Sequence, residues 1–303
     1  MRPRVVLVSL LAVVVTAAAL TVVVSALPRD VDGHPPEVAA DPGSATPEPA
    51  PVAPSSSPTP LPAGEQAELA TRVRGAVDEV TGGGGELGLA VFDRLTESTV
   101  ATIAGDEWFY SASVSKLLIA VDLLLDQPEV DEAARQNVRR MLTDSHDGVA
   151  SALWAAGGGR EIVQDMTERI GLRDTSVPSR PDEWEMTRIS AQDVVRIYEF
   201  IEHQLPEPSR DLIVEALAAT PERAADGFAQ RFGIADALPG TEWAVKQGWM
   251  RAANSLVLHS TGLVGADERY VVVLLTHLPG RTSFETGRAA VTAGVAALAG
   301  SLD

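Results

Sequence analysis

The sequence predicts an α+β domain built on one antiparallel sheet of about five strands, and three observations point to it. Two short strand-like segments open the globular part of the chain and three more close it. A long stretch patterned for helices separates the two groups. A further helix stands at each end of this order. Strands contributed by both ends of a domain make a single sheet with a helical subdomain inserted between them, and a cleft between sheet and insertion is the natural place for a site.

Taken in order, residues 1–27 place Arg2 and Arg4 before an uncharged stretch from Val5 to Leu27, long enough to span a bilayer. Val24-Ser25-Ala26 also has the small-x-small form of a cleavage site. An uncleaved anchor and a cleaved signal peptide are both open, and either exports the rest of the chain. The expected location is therefore extracytoplasmic, tethered through residues 5–27 or secreted. Residues 28–64 hold 11 of the chain's 20 prolines, mixed with Ala, Ser, Thr and Glu. That composition builds no core and favours an extended, disordered linker. The domain is expected over residues 65–303.

Within it, a helix from Glu65 to about Val80 stops at the run Gly82–Gly85. Strands are expected at Leu87–Phe92 and Ser98–Ala104. The stretch from Tyr110 to Leu125 is too long and too apolar for a strand and reads as a buried helix. From about Val130 to Leu217 the pattern is helical, broken at Gly157–Gly159, Pro178 and Pro181. Strands return at Glu242–Gln247, Ser255–Val264 and Tyr270–His277, before an alanine-rich helix from about Phe284 to Ala299.

Composition excludes several chemistries. A net charge of -18 repels a phosphate backbone, so nucleic acid is not an expected partner. No cysteine is present, which removes disulfides, thiol nucleophiles, thiolate zinc sites and a lipid-modified cysteine anchor. His34, His146, His203, His259 and His277 show no metal-ligand spacing, so neither metal nor cofactor is expected.

The basic residues are lopsided: 22 arginines against two lysines, Lys116 and Lys246. Arginine keeps its proton in a protein whereas lysine can lose it, so proton transfer is a task that arginine cannot take over. Lys116 stands three residues after Ser113 in Ser113-Val114-Ser115-Lys116, on one face of the expected helix. It then runs into Leu117, Leu118 and Ile119, surroundings that strip water from an amine and lower its pKa. A neutral amine beside a serine hydroxyl is a general base beside its nucleophile. Lys246-Gln247-Gly248 falls at the end of an expected strand, where glycine allows a close backbone approach.

Ser-x-x-Lys on a buried helix, a serine-based triplet in the helical insertion and Lys-x-Gly on a late strand resemble the motif set of penicillin-recognising serine enzymes, the class A β-lactamases and D,D-peptidases. The middle motif fits Ser145-His146-Asp147. The resemblance spans about residues 65–303 and implies a β-lactamase/transpeptidase-like fold with helices on the faces of the sheet. It implies a substrate that is a β-lactam or a peptidoglycan peptide of the D-Ala-D-Ala type. It makes Ser113 the acylated nucleophile, Lys116 its base, Ser145 a proton relay and Lys246 a source of positive potential. Asp147, Gln247, Gly248 and Trp249 become substrate-binding positions, with the backbone N–H groups of Ser113 and Trp249 as the oxyanion hole.

The chain departs from the family pattern at His146-Asp147, where Asp-Asn is usual, and at Gln247, where a hydroxyl residue is usual. The span between Ser113 and Ser145 is also short. The resemblance puts a deacylating carboxylate on a loop matching Gly171–Arg188, where Glu183 and Glu185 are the candidates. Without such a base, the chain would hold an acyl group as a penicillin-binding protein does. A weakly active or inactive binder of a cell-wall fragment or a protein is the alternative.

Overall fold

The structure is a computed structural model and describes residues 59–125 and 129–302. The apolar segment 5–27 and most of the Pro-rich linker lie outside the described residues. Among the described residues no helix is long and apolar enough to cross a membrane.

The sheet has the order β2-β1-β7-β6-β5 and its neighbours are antiparallel: β1 is Glu86–Asp93, β2 Ser98–Ile103, β5 Trp243–Ala252, β6 Ser255–Val264 and β7 Tyr270–Pro279. Strands from both ends of the domain thus form one sheet. The period-two alternation sends alternate side chains to opposite faces. On β7, Tyr270, Val272 and Leu274 join Leu69, Val73 and Val77 of helix α1 (Ala63–Thr81) and Ala290, Val291 and Val295 of helix α9 (Phe284–Ala296) in one core. Val271, Val273 and Leu275 join the other core, shared with the helical insertion. That insertion comprises α2 (Lys116–Leu125), α3 (Glu132–Thr143), α4 (Asp147–Ala156), α5 (Arg160–Ile170), α6 (Ala191–Gln204) and α7 (Glu207–Ala218). A short helix, α8, covers Ile234–Ala237.

Three boundaries differ in ways that bear on the site. Helix α1 begins at Ala63, since Pro62 already holds a helix-compatible φ of -59° and sits where its missing N–H costs nothing. It ends where expected, with Gly82 in the left-handed region (φ 74°) donating its N–H to the Asp78 carbonyl. The apolar stretch 110–125 is not one helix. It begins with strand β3 (Trp108–Tyr110), paired to β4 (Arg188–Ser190), continues as a 3₁₀ turn at Ala112–Ser115, and becomes α-helical at Lys116. Finally, β5 continues to Ala252, so Lys246-Gln247-Gly248 lies within the strand and not at its end.

Candidate active site

The 3₁₀ turn decides how Ser113 and Lys116 meet. Residues i and i+3 eclipse in this geometry, so the two side chains align more directly than on an α-helix. Lys116 Nζ lies 3.0 Å from Ser113 Oγ. Ala112, immediately before, has φ 45°, a left-handed conformation that carries strain for a residue with a Cβ. The turn is seated on the sheet at Gly248. A Cβ there would stand 3.1 Å from the Ser111 carbonyl and 3.2 Å from Ala112 Cβ, so the glycine admits the serine-bearing segment.

Two histidines fix the approach to this turn. The Tyr110 N–H donates to His277 Nε2 (3.1 Å), leaving the ring proton on Nδ1, which faces Glu86 at 3.2 Å. The Thr276 N–H donates to His259 Nδ1 (3.1 Å), so His259 Nε2–H donates to the Tyr110 carbonyl at 2.7 Å. Burial holds His259 near pKa 3, and burial also lowers His277. Both act as neutral clamps on the backbone of one residue, His277 on the Tyr110 N–H and His259 on its carbonyl.

Ser145 arrives from the insertion. It has φ 51°, and its turn is pinned by Gln230, whose amide donates to the Thr143 carbonyl, and by the Ala225 N–H donating to the Asp144 carbonyl. His146 is occupied as the cap of α4, its Nδ1 accepting the Val149 N–H at 3.3 Å. Ser145 Oγ is 3.1 Å from Lys116 Nζ and 2.9 Å from Lys246 Nζ. Lys116 also donates to the Ser145 carbonyl at 2.7 Å and to Asp147 Oδ1 at 2.6 Å. Lys246 donates in addition to the Gln247 carbonyl at 3.0 Å. Ser113, Lys116, Ser145, Asp147 and Lys246 therefore converge at one place.

Burial sets the electrostatics. Lys116 is 0% exposed and Lys246 1%. Desolvation pulls the Lys116 pKa below its ordinary value, opposed by the Asp147 carboxylate. Lys246 is pulled well below, by its own burial and by the Lys116 charge. A neutral Lys116 has two hydrogens and one lone pair. The Asp147 carboxylate and the Ser145 carbonyl, its two closest acceptors, can take the hydrogens and leave the lone pair for the Ser113 hydroxyl.

Above this cluster a cleft of about 390 Å³ is lined by Ser113, Asp147, Asp182, Trp184, Glu185 and Trp249, among others. Of the two candidate loop carboxylates, Glu185 reaches the cleft, whereas Glu183 pairs with Arg180 at 2.8 Å. Burial and the neighbouring Glu183 and Asp147 charges raise the Glu185 pKa. The loop is anchored by buried Asp193, which accepts the N–H groups of Arg173 and Asp174 and the Thr175 hydroxyl. Gln247 does not line the cleft. It has the opposite parity to Lys246 along β5, and its amide donates to the Phe232 carbonyl at 2.6 Å in the other core.

Sequence reading missed Trp184. Its indole lies 4.9 Å from Lys116 Nζ and donates to Ser151 Oγ. The one signal was its position between the two loop glutamates. Asp182 was missed for the same reason: loop side chains have no periodicity to betray them.

The family model described as the beta-lactamase enzyme family matches residues 126–299. A Mycobacterium tuberculosis protein named "Putative lipoprotein LppW" is 38% identical over 236 residues, 75% of this chain and 74% of that one. The chain belongs to the beta-lactamase enzyme family. Its fold is shared with a beta-lactamase from Chitinophaga pinensis (TM-score 0.62, 14% identity, 76% of this chain and 99% of that chain) and with PBP-A (TM-score 0.60, 17% identity, 76% and 96%). Ser113 and Lys116 precede the residues matched by the family model.

Proposed function

We propose that this chain is an extracytoplasmic serine hydrolase that acylates Ser113 with a β-lactam or a D-Ala-D-Ala-type peptide. The observation that carries the reading is the buried Lys116 amine 3.0 Å from Ser113 Oγ, beneath an open cleft. Ser113 Oγ attacks the acyl carbonyl, forming a C–O bond, while its proton passes to Lys116 Nζ. The C–N bond then breaks and the leaving nitrogen takes a proton from Ser145, which is resupplied by Lys116. The backbone N–H groups of Ser113 and Trp249 receive the oxyanion, and Lys246 supports Ser145. Glu185, which lines the cleft, is our candidate for the carboxylate that activates water for deacylation. A PBP-A mutant has been solved as an acyl-enzyme complex with penicillin G, which supports acylation on this fold.

The related mycobacterial protein carries a lipoprotein name. This chain has no cysteine for a thioether-linked lipid, so tethering falls to the apolar segment 5–27 if it is retained.

The test is intact-protein mass spectrometry with a labelled penicillin. An adduct that is absent in Ser113→Ala is expected. Its persistence reports slow deacylation, and rapid drug loss without accumulated adduct reports turnover through Glu185. No adduct and no drug loss at any time overturns the reading for β-lactams. One observation favours a second reading, a binder with little turnover: Asp147 at 2.6 Å stabilises the ammonium form of Lys116, which is no base.

A further inference from the structure

Among the described residues, three charged side chains line the cleft over Ser113, and all three are carboxylates: Asp147, Asp182 and Glu185. Asp147 is engaged with Lys116 through Oδ1, yet its side chain is 66% exposed toward the opening. No arginine among the described residues lines the cleft. The two lysines beneath it are buried, and their Nζ hydrogens are taken up by Ser145, Asp147 and the Gln247 carbonyl. Asp226 adds a further carboxylate beside the cleft, bonded to the Trp249 indole N–H at 3.0 Å.

The apolar part of the lining points the same way. Trp184 and Trp249 both face this space. Each ring already stands near a lysine nitrogen, with Lys116 Nζ 4.9 Å from the Trp184 ring centre and Lys246 Nζ 5.8 Å from that of Trp249. Indole faces combined with carboxylates are the chemistry that recognises an organic ammonium group. A substrate anion entering this cleft meets like charges at its walls, with no exposed cation among the described lining residues to receive it.

We propose that the acyl donor this cleft selects carries an ammonium group close to its scissile carbonyl, held by Asp182 and Glu185 against the indoles of Trp184 and Trp249. This rests on the acylation reading above and narrows it to cationic or zwitterionic donors. An ammonium about 6 Å from one such carboxylate, at an effective dielectric near 40, gains about tenfold in encounter or binding. The gain falls as salt is added.

Two measurements on the full-length chain in detergent separate this inference from the acylation reading. The first follows acylation by intact mass with three penicillins of one nucleus, whose phenylacetyl side chain is unsubstituted, α-amino or α-carboxy. Expected is a Ser113 adduct about tenfold faster for the amino than for the unsubstituted compound, and slowest for the carboxy compound. The order should flatten at 1 M salt and in Asp182→Asn/Glu185→Gln, while the remote Glu242→Gln keeps it. The second titrates tryptophan fluorescence with benzylamine, benzyl alcohol and phenylacetate, which need no acylation. Benzylamine should bind about tenfold tighter than the alcohol, and the double variant should erase the difference. Adducts formed at equal rates, or fastest with the carboxy compound, overturn the charge inference and leave acylation standing. No adduct and no drug loss with any penicillin, but preferred benzylamine binding, overturns acylation by β-lactams and upholds the ammonium site. No preference in either measurement overturns the inference.

Discussion

The two faces of the five-stranded sheet bury their residues on different terms. Toward α1 and α9 the core is built of Leu, Val, Ala, Ile, Phe and Tyr side chains, and the Gln247 amide buried beside it is uncharged. Toward the insertion, beside an equally apolar core, lies a seam of Ser113, Lys116, Ser145, Lys246 and His259, all buried. Burying apolar surface stabilises a fold, while burying an amine costs free energy that its hydrogen bonds only partly offset. The first face is what makes the domain fold. The second is tolerated because it leaves Lys116 able to change protonation state. Two of the seven non-glycine residues with positive φ among the described residues stand in this seam, Ala112 at 45° and Ser145 at 51°.

Exchanging the roles of the two faces should produce opposite phenotypes. Lys116→Met replaces the buried amine with an apolar chain of similar length. Acylation of Ser113 should fall at least about 10³-fold, the scale of losing a nucleophile's base. Stability, followed by urea denaturation, should stay level or rise by up to about 2 kcal/mol. Leu274→Ala, in the other core, should cost about 2–5 kcal/mol of stability while the folded fraction acylates at the normal rate. A Lys116→Met protein as destabilised as Leu274→Ala would erase the distinction between the faces.

The same contrast explains what was legible in the sequence. Both apolar cores were readable because period two in β7 and helical periodicity in α1 and α9 record burial directly. The motif residues Ser113, Lys116, Ser145 and Lys246 were readable as residue types at spacings that proton transfer needs, in a chain with two lysines. Their local backbone was not. Leu117–Leu125 extends the apolar run, and nothing in it signals that the segment opens as strand and 3₁₀ turn; β3 exists because β4, nearly 80 residues later, pairs with it. Gln247 was misplaced because its parity on β5 shows only once the strand runs through to Ala252. The cleft's acidity comes from loop residues whose convergence no local pattern records.

A smaller effect separates the faces by pH. Folded His259 has its pKa lowered to about 3 by burial, whereas an unfolded histidine titrates near 6.5. The unfolded chain therefore binds more protons between those values, and stability is lost as pH falls from about 6.5 toward 3, at up to about 1.4 kcal/mol per pH unit. Urea midpoints at pH 7, 5 and 4 should show this slope, and His259→Gln should flatten it. An unchanged slope in the variant would remove His259 from the acid response.

The smallest expected effect is the most diagnostic for the seam. Asp147 stands at the first residue of α4, exposed to water on one side and 2.6 Å from Lys116 Nζ on the other. Its charge favours the ammonium form of Lys116, while burial of Lys116 favours the amine, and burial is the larger influence. If neutral Lys116 takes the Ser113 proton, acylation rises with pH through the Lys116 pKa and levels off above it. Asp147→Asn keeps an acceptor of the same shape and deletes the charge, so the Lys116 pKa should fall. The rise in acylation rate should move to lower pH with the plateau little changed. The pH dependence of the acylation rate constant, compared between the two proteins, reads this directly. A profile that moved to higher pH would mean that Asp147 works as the proton acceptor itself. A profile that kept its position and lost its plateau would mean that Asp147 acts by holding Lys116 in place.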